Sequence, residues 1–230
     1  MMMGIATTSC GENPRLFAGG FTKGDEKGLN IYEFDNRTGK LKLLSQSDAG
    51  PNPSYFCFSS RNDLLYAANE VMQFKGNQGG GLTTLKYDPV KASFEKLNEM
   101  VVPNGGPCFI SMSPDSGYLF IANYPRGSVA VIRLDKNGIP ESVTDTIIYN
   151  PEKPNQSHAH MILSDPQGKH IYVSDLGLNR VVIYNFDKVN GKLIQLENGI
   201  ITVSEGSGPR HFTFSNDGLK MYLINELGST

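Results

Sequence analysis

An all-β fold, a β-propeller of four-stranded antiparallel blades that is incomplete as written, is predicted by three observations. Four segments repeat one template, Asn52–Glu70, Gly106–Tyr124, His158–Leu176 and Gly208–Glu226. Each holds two apolar runs joined by a Ser/Asp/Gly turn. The aromatic of the second run recurs at Tyr66, Phe120, Tyr172 and Tyr222, spaced 54, 52 and 50 residues apart. Gly and Pro supply 25 and 13 of the 230 residues, so turn chemistry is abundant, and no long amphipathic helix is evident. Four strands repeating every ~50 residues describe a propeller blade.

The elements follow in chain order. Residues 1–14 are expected to form a tail. Met1–Cys10 passes from apolar to small residues to Cys, which resembles the end of a bacterial lipoprotein signal. The basic leader is missing, and the apolar run is shorter than the ~7–15 residues an export signal uses. As written, the chain is expected in the cytoplasm; a true start upstream would make it an exported lipoprotein anchored through Cys10. Residues 15–230 are expected to form the partial propeller, with blade strands at 15–49, 52–102, 106–149, 158–203 and 208–230. Phe17 sits 49 residues before Tyr66 and starts the aromatic series. A third run follows in each blade, at Gly28–Asp35, Gly81–Asp88, Gly127–Asp135 and Asn179–Asp187, and ends in Asp and a turn. A fourth, more polar run such as Lys40–Ser47 or Lys192–Gly199 completes the blade. Alternation and β-branched or aromatic content favour strands throughout. The opening blade has three expected strands and the last only two, seventeen in all. The open blade edges are therefore candidate surfaces for self-association.

Composition removes several function classes. Lys and Arg number 21 against 23 Asp and Glu, a net charge of −2, which gives no basic footprint for nucleic acid. No apolar run approaches the ~20 residues of a transmembrane segment. Cys10, Cys57 and Cys108 are widely spaced without a CxxC, against a disulfide framework or structural zinc. The glycine-rich Asn77–Gly81 precedes a strand rather than opening a helix, so it reads as a loop and not a phosphate cradle.

Chemistry is expected at one mouth of the channel. The first two strands of a blade form a hairpin, so the start of one and the end of the other share a face. Starts carry Ser54, Cys108, His160 and Arg210; ends carry Asn69, Asn123, Asp175 and Asn225, followed by Glu70, Tyr124, Leu176 and Glu226. His158 and His160 are two apart and are expected to share a side of a regular strand. His160 reads either as an acid/base group or as a hydrogen-bonded rim histidine. Arg210 and Glu226 read either as a salt bridge or as an anion-binding fork beside a water-activating base. The Asn/Asp ring offers oxygens to a hard cation such as Ca²⁺, but one carboxylate among four ligands is thin charge. Local hydrogen bonding is its expected role, and no metal is assigned.

Five motifs then stand in register: Gly106-Pro107-Cys108 with Tyr118–Tyr124, Ser157-His158-Ala159-His160, Asp175–Val181, Gly208-Pro209-Arg210-His211, and Asn225-Glu226-Leu227. From about residue 15 to residue 230 they resemble the seven-bladed β-propeller lactonase family. This is the bacterial type of 6-phosphogluconolactonase, related to 3-carboxymuconate lactonizing enzyme. One departure is Ala159, where the family carries Pro. The resemblance implies about four and a half of seven blades; a full ring at ~50 residues per blade needs roughly 350 residues. The absent part would supply a second site Arg and the strand that closes the first blade. It further implies hydrolysis of 6-phosphogluconolactone to 6-phosphogluconate in the pentose phosphate pathway. No cofactor is implied, and the expected partner is a small-molecule sugar lactone. His160, Arg210 and Glu226 are the implied catalytic residues: Glu226 as base, Arg210 on the oxyanion or an acidic group, His160 protonating the leaving ring oxygen. His158, His211, Asp175 and Asn225 are the expected substrate-binding residues. The rival expectations are a muconate-type lactonizing cycloisomerase and a non-catalytic propeller scaffold. A channel open to water and short of one Arg is expected to leave the isolated chain inactive.

Overall fold

The computed structural model describes residues 2–6, 14–24, 26–61, 63–153 and 155–230. The first sheet runs β1 (Met2–Ala6), β2 (Arg15–Gly19), β3 (Leu29–Phe34) and β4 (Leu41–Ser47), in that order. The second begins with β5 (Pro53–Phe58) and β6 (Leu64–Asn69). A small hairpin of β7 (Gln73–Phe74) and β8 (Asn77–Gln78) precedes its outer strands, β9 (Gly80–Asp88) and β10 (Ser93–Val102). The third sheet is β11 (Pro107–Met112), β12 (Tyr118–Asn123), β13 (Ser128–Leu134) and β14 (Pro140–Ile148). The fourth is β15 (Ala159–Ser164), β16 (His170–Asp175), β17 (Arg180–Asp187) and β18 (Lys192–Thr202). A last hairpin, β19 (Pro209–Phe214) with β20 (Met221–Asn225), starts a fifth.

All seventeen expected strands are present, and β1, β7 and β8 are additional. β1 falls where a tail was expected over residues 1–14. Its backbone pairs antiparallel with β2, from Met2 opposite Gly19 to Ala6 opposite Arg15, and takes the innermost place of the first blade. Cys10, the expected lipid anchor, lies outside the described residues. The Asn77–Gly81 run is not a plain loop: it forms β8 and opens β9.

Inner strands pack side by side, β5 against β11, β11 against β15, and β15 against β19, and β5 also packs on β2 of the first blade. Neighbouring blades therefore face each other like a fan, which is the propeller arrangement. Between the first and second blades sit Leu29, Ala49, Leu65, Ala67 and Leu85. Tyr66, Leu82, Ile110, Ile121 and Ile132 fill the next gap, and Phe120, Val131, Ile162, Val173 and Tyr184 fill the one beyond. A strand covered on both faces reads as continuously apolar rather than alternating. That is the pattern of β6 and β12, buried at every position. By contrast β20 alternates between exposed and half-buried positions, because one of its faces has no blade against it.

The turns from third to fourth strand are set by the Asp that ends each third run. Asp35, Asp88, Asp135 and Asp187 each accept backbone N–H bonds two to four residues on, at 2.8–3.1 Å. This is the Asx-turn geometry. Among the described residues no helix is long and apolar enough to cross a membrane.

Candidate active site in the channel mouth

The same irregularity opens the inner strand of every blade from the second to the fifth. The pairing register slips between Pro53 and Tyr55, Pro107 and Phe109, Ala159 and Met161, and Pro209 and His211. Each slip leaves one residue outside the ladder, which is how a β-bulge re-aims a side chain. The four residues so released are Ser54, Cys108, His160 and Arg210. All four line one cavity of about 310 Å³, near the small end of ligand pockets.

A second repeated device places the facing groups. The N–H groups of Glu70, Tyr124, Leu176 and Glu226 bond the carbonyls of Asn52, Gly106, His158 and Gly208 at 2.8–3.0 Å, closing each hairpin. Gly106 and Gly208 hold φ of 63° and 64°, a left-handed conformation that glycine adopts without steric cost. This sets Glu70, Tyr124 and Glu226 on the cavity wall, with Phe21 and Gly20 of the first blade beside them. Tyr55 and His211 complete the lining. The channel is narrow here, for the Tyr55 and His211 rings of the second and fifth blades lie 6.2 Å apart.

Arg210, His160 and Glu226 meet at one nitrogen. Arg210 Nε donates to His160 Nε2 at 3.0 Å, and Glu226 Oε2 lies 2.7 Å from the same Nε. No other side-chain bond of Arg210 occurs among the described residues, so its terminal guanidinium nitrogens remain free for a ligand. Because His160 Nε2 accepts, the imidazole carries its proton on Nδ1. That atom is buried without a partner. Burial pushes the His160 pKa down to about 3, helped by the charge on Arg210 and by His211. His211 falls to about 4, from burial and then Arg210. Both imidazoles are neutral at neutral pH. His160 is thus neutral and carries no proton on the Nε2 that meets Arg210.

The remaining expected residues are placed elsewhere. Asp175 is fully buried and committed to its own loop: it accepts from Ser157 Oγ at 2.7 Å and from the N–H groups of His158 and Leu178 at 2.9 and 3.2 Å. His158 stacks on Tyr124 at 4.5 Å and bonds its carbonyl oxygen at 3.1 Å, facing a separate depression. The bulge at His160 breaks the alternation that was expected to put both histidines on one side. Asn225 Nδ2 donates to Thr230 Oγ1 at 3.1 Å and does not line the cavity. Its counterparts act as loop ties: Asn69 Nδ2 donates to the Ala49 and Pro51 carbonyls, and Asn123 Nδ2 to that of Pro103. Among the described residues no group of three His, Cys, Asp or Glu is arranged to hold a metal ion.

The repeat placed Glu70 at the mouth, but no catalytic or substrate-binding role was expected of it. Its signal was its place, four residues beyond the aromatic of the second strand, as Glu226 stands beyond Tyr222. Ser54 Oγ donates to Glu70 Oε2 at 2.6 Å. Burial holds the Cys108 thiol well above its ordinary pKa, with the Glu70 charge adding to the effect. It is not a poised nucleophile.

Residues 15–230 match the family described as lactonase, 7-bladed β-propeller. Among solved structures, the periplasmic gluconolactonase PpgL of Pseudomonas aeruginosa is 32% identical, with a TM-score of 0.84 over 93% of this chain and 61% of that one. A candidate 6-phosphogluconolactonase of Bacteroides fragilis is 26% identical, with a TM-score of 0.82 over 97% and 64%. An uncharacterized protein of Staphylococcus aureus (strain USA300) is 29% identical over 93% of this chain. The chain spans about 61% of the length of that curated relative. Over the residues it has, the chain belongs to the seven-bladed β-propeller lactonase family.

Proposed function

We propose that this channel mouth hydrolyses a sugar lactone, with 6-phosphogluconolactone or gluconolactone as the substrate. The observation that carries the reading is the Arg210 guanidinium, tied at Nε by His160 and Glu226 with its terminal nitrogens uncommitted. Family membership and the gluconolactonase-type neighbours support the substrate class.

The chemistry follows from the groups present. A water oxygen attacks the lactone carbonyl carbon while Glu226 takes one of its protons. The negative charge that develops on the carbonyl oxygen rests on the free Arg210 nitrogens. Collapse of the tetrahedral species breaks the bond to the ring oxygen, which receives the proton back from Glu226. One carboxylate thus serves as base and then acid, and His160 keeps the guanidinium oriented throughout.

The test is pH-stat hydrolysis of glucono-δ-lactone and 6-phosphoglucono-δ-lactone by the protein as its cell makes it, with the buffer rate subtracted. Turnover is expected, reduced about 10²–10³-fold in Arg210→Ala and at least about 10²-fold in Glu226→Gln, with unchanged circular dichroism. Conversion of a muconate-type lactone and of neither sugar lactone would transfer the site to the cycloisomerase. Binding of 6-phosphogluconate without any turnover would leave a scaffold.

A further inference from the structure

Resting on the lactonase reading, we propose that Glu70, with Ser54, is the specificity-determining residue of this site, recognising substrate hydroxyl groups. Glu70 lines the same cavity as Arg210 but stands on the second blade. Only one of its carboxylate oxygens is engaged, by Ser54 Oγ at 2.6 Å. Among the described residues no Lys, Arg or His pairs with it, whereas Glu226 has Arg210 at 2.7 Å.

A half-buried carboxylate with an unoccupied oxygen calls for donors from the ligand. Adjacent hydroxyls of a polyol supply them in the spacing a carboxylate accepts, and Ser54 offers a further acceptor lone pair. Phe21 and Tyr55 also line the cavity and offer aromatic surface to the C–H side of a sugar-sized ring. The cavity thus holds Arg210, already paired with Glu226, and from the second blade a carboxylate with no cationic partner among the described residues. An unpaired carboxylate favours a hydroxylated ligand and disfavours a second carboxylate beside it.

The experiment compares glucono-δ-lactone with δ-valerolactone, which has the same ring and no hydroxyl groups, in wild type, Glu70→Ala and Glu70→Gln. Glu70→Ala is expected to raise KM for glucono-δ-lactone about tenfold to a hundredfold and to lower kcat/KM for glucono-δ-lactone at least about tenfold more than kcat/KM for δ-valerolactone. Glu70→Gln keeps a partner for Ser54 and controls for folding; it should show the same selective loss to a smaller degree. An equal loss on both lactones in Glu70→Gln, or none on either, would overturn the assignment. If the wild type hydrolyses neither lactone, calorimetric binding of gluconate and 5-hydroxyvalerate decides independently. Loss of gluconate affinity alone in Glu70→Ala upholds Glu70 while the hydrolase reading fails. Unchanged gluconate binding, or no gluconate binding in the wild type, rejects Glu70.

Discussion

Hairpin β5–β6 carries Ser54 and Glu70 where hairpin β19–β20 carries Arg210 and Glu226. Both hairpins have the bulge, a left-handed residue at the mouth (Asn52 at φ 46°, Gly208 at 64°) and the same closing backbone bond. Their surroundings differ. Tyr66 in β6 is 0% exposed and donates to the Gly138 carbonyl at 2.7 Å, while its counterpart Tyr222 in β20 is 58% exposed. The backbone devices thus persist whether or not a neighbouring blade covers the hairpin. Position is set within the hairpin, and burial is set by the neighbours.

The largest expected effect tests the burial half of that statement. Tyr66→Ala should cost about 3–5 kcal/mol in urea denaturation, the range for large buried aromatics. The next tests the electrostatics of the channel mouth. Folded His160 titrates near 3 and His211 near 4, against 6.5 for the ordinary side chain. The unfolded chain therefore binds protons that the folded chain does not. Stability is complete above pH 6.5 and falls as the pH drops toward 3 to 4, for His160 by at most about 1.4 kcal/mol per pH unit. Denaturation midpoints at pH 7 and pH 5 should differ, and His160→Gln with His211→Gln should flatten the difference. A third change addresses the shared backbone. Gly208→Ala forces a Cβ into the left-handed region and should cost about 1–2 kcal/mol. Gly208→Asn should cost less, since Asn52 already holds that place in β5–β6. Smallest of all, Tyr222→Ala should stay within about 0.5 kcal/mol. A loss close to that of Tyr66→Ala would show that this face is covered in solution and would break the comparison.

The repeat was legible because packing enforces it: Tyr66, Phe120 and Tyr172 recur where blade meets blade, Tyr222 holds the same place in the uncovered hairpin, and the Asp residues recur where a turn needs an acceptor. The bulges were not. A strand pattern carries no mark of one extra residue, so His158 and His160 read as neighbours on one side although the slip at His160 separates them. Asp175 misled for a related reason. A polar residue at a strand end looks alike whether it faces a ligand or its own loop, and here Ser157 and two N–H groups occupy it. Arg210 and Glu226 were legible as a pair because they share a hairpin. The other partner of Arg210, His160, sits on another blade, and only folding reveals that it accepts a hydrogen bond from Arg210 Nε.

Because Ser54, Cys108, His160 and Arg210 stand outside the ladder, none of them has to satisfy a strand's demands on shape. A small hydroxyl, a thiol, an imidazole and a guanidinium occupy one backbone position in successive blades without altering the pairing on either side. Inherited variation at these four places can exchange one reactivity for another while the strands keep their partners. A lineage built on this frame can change its substrate by point substitution, leaving its architecture untouched.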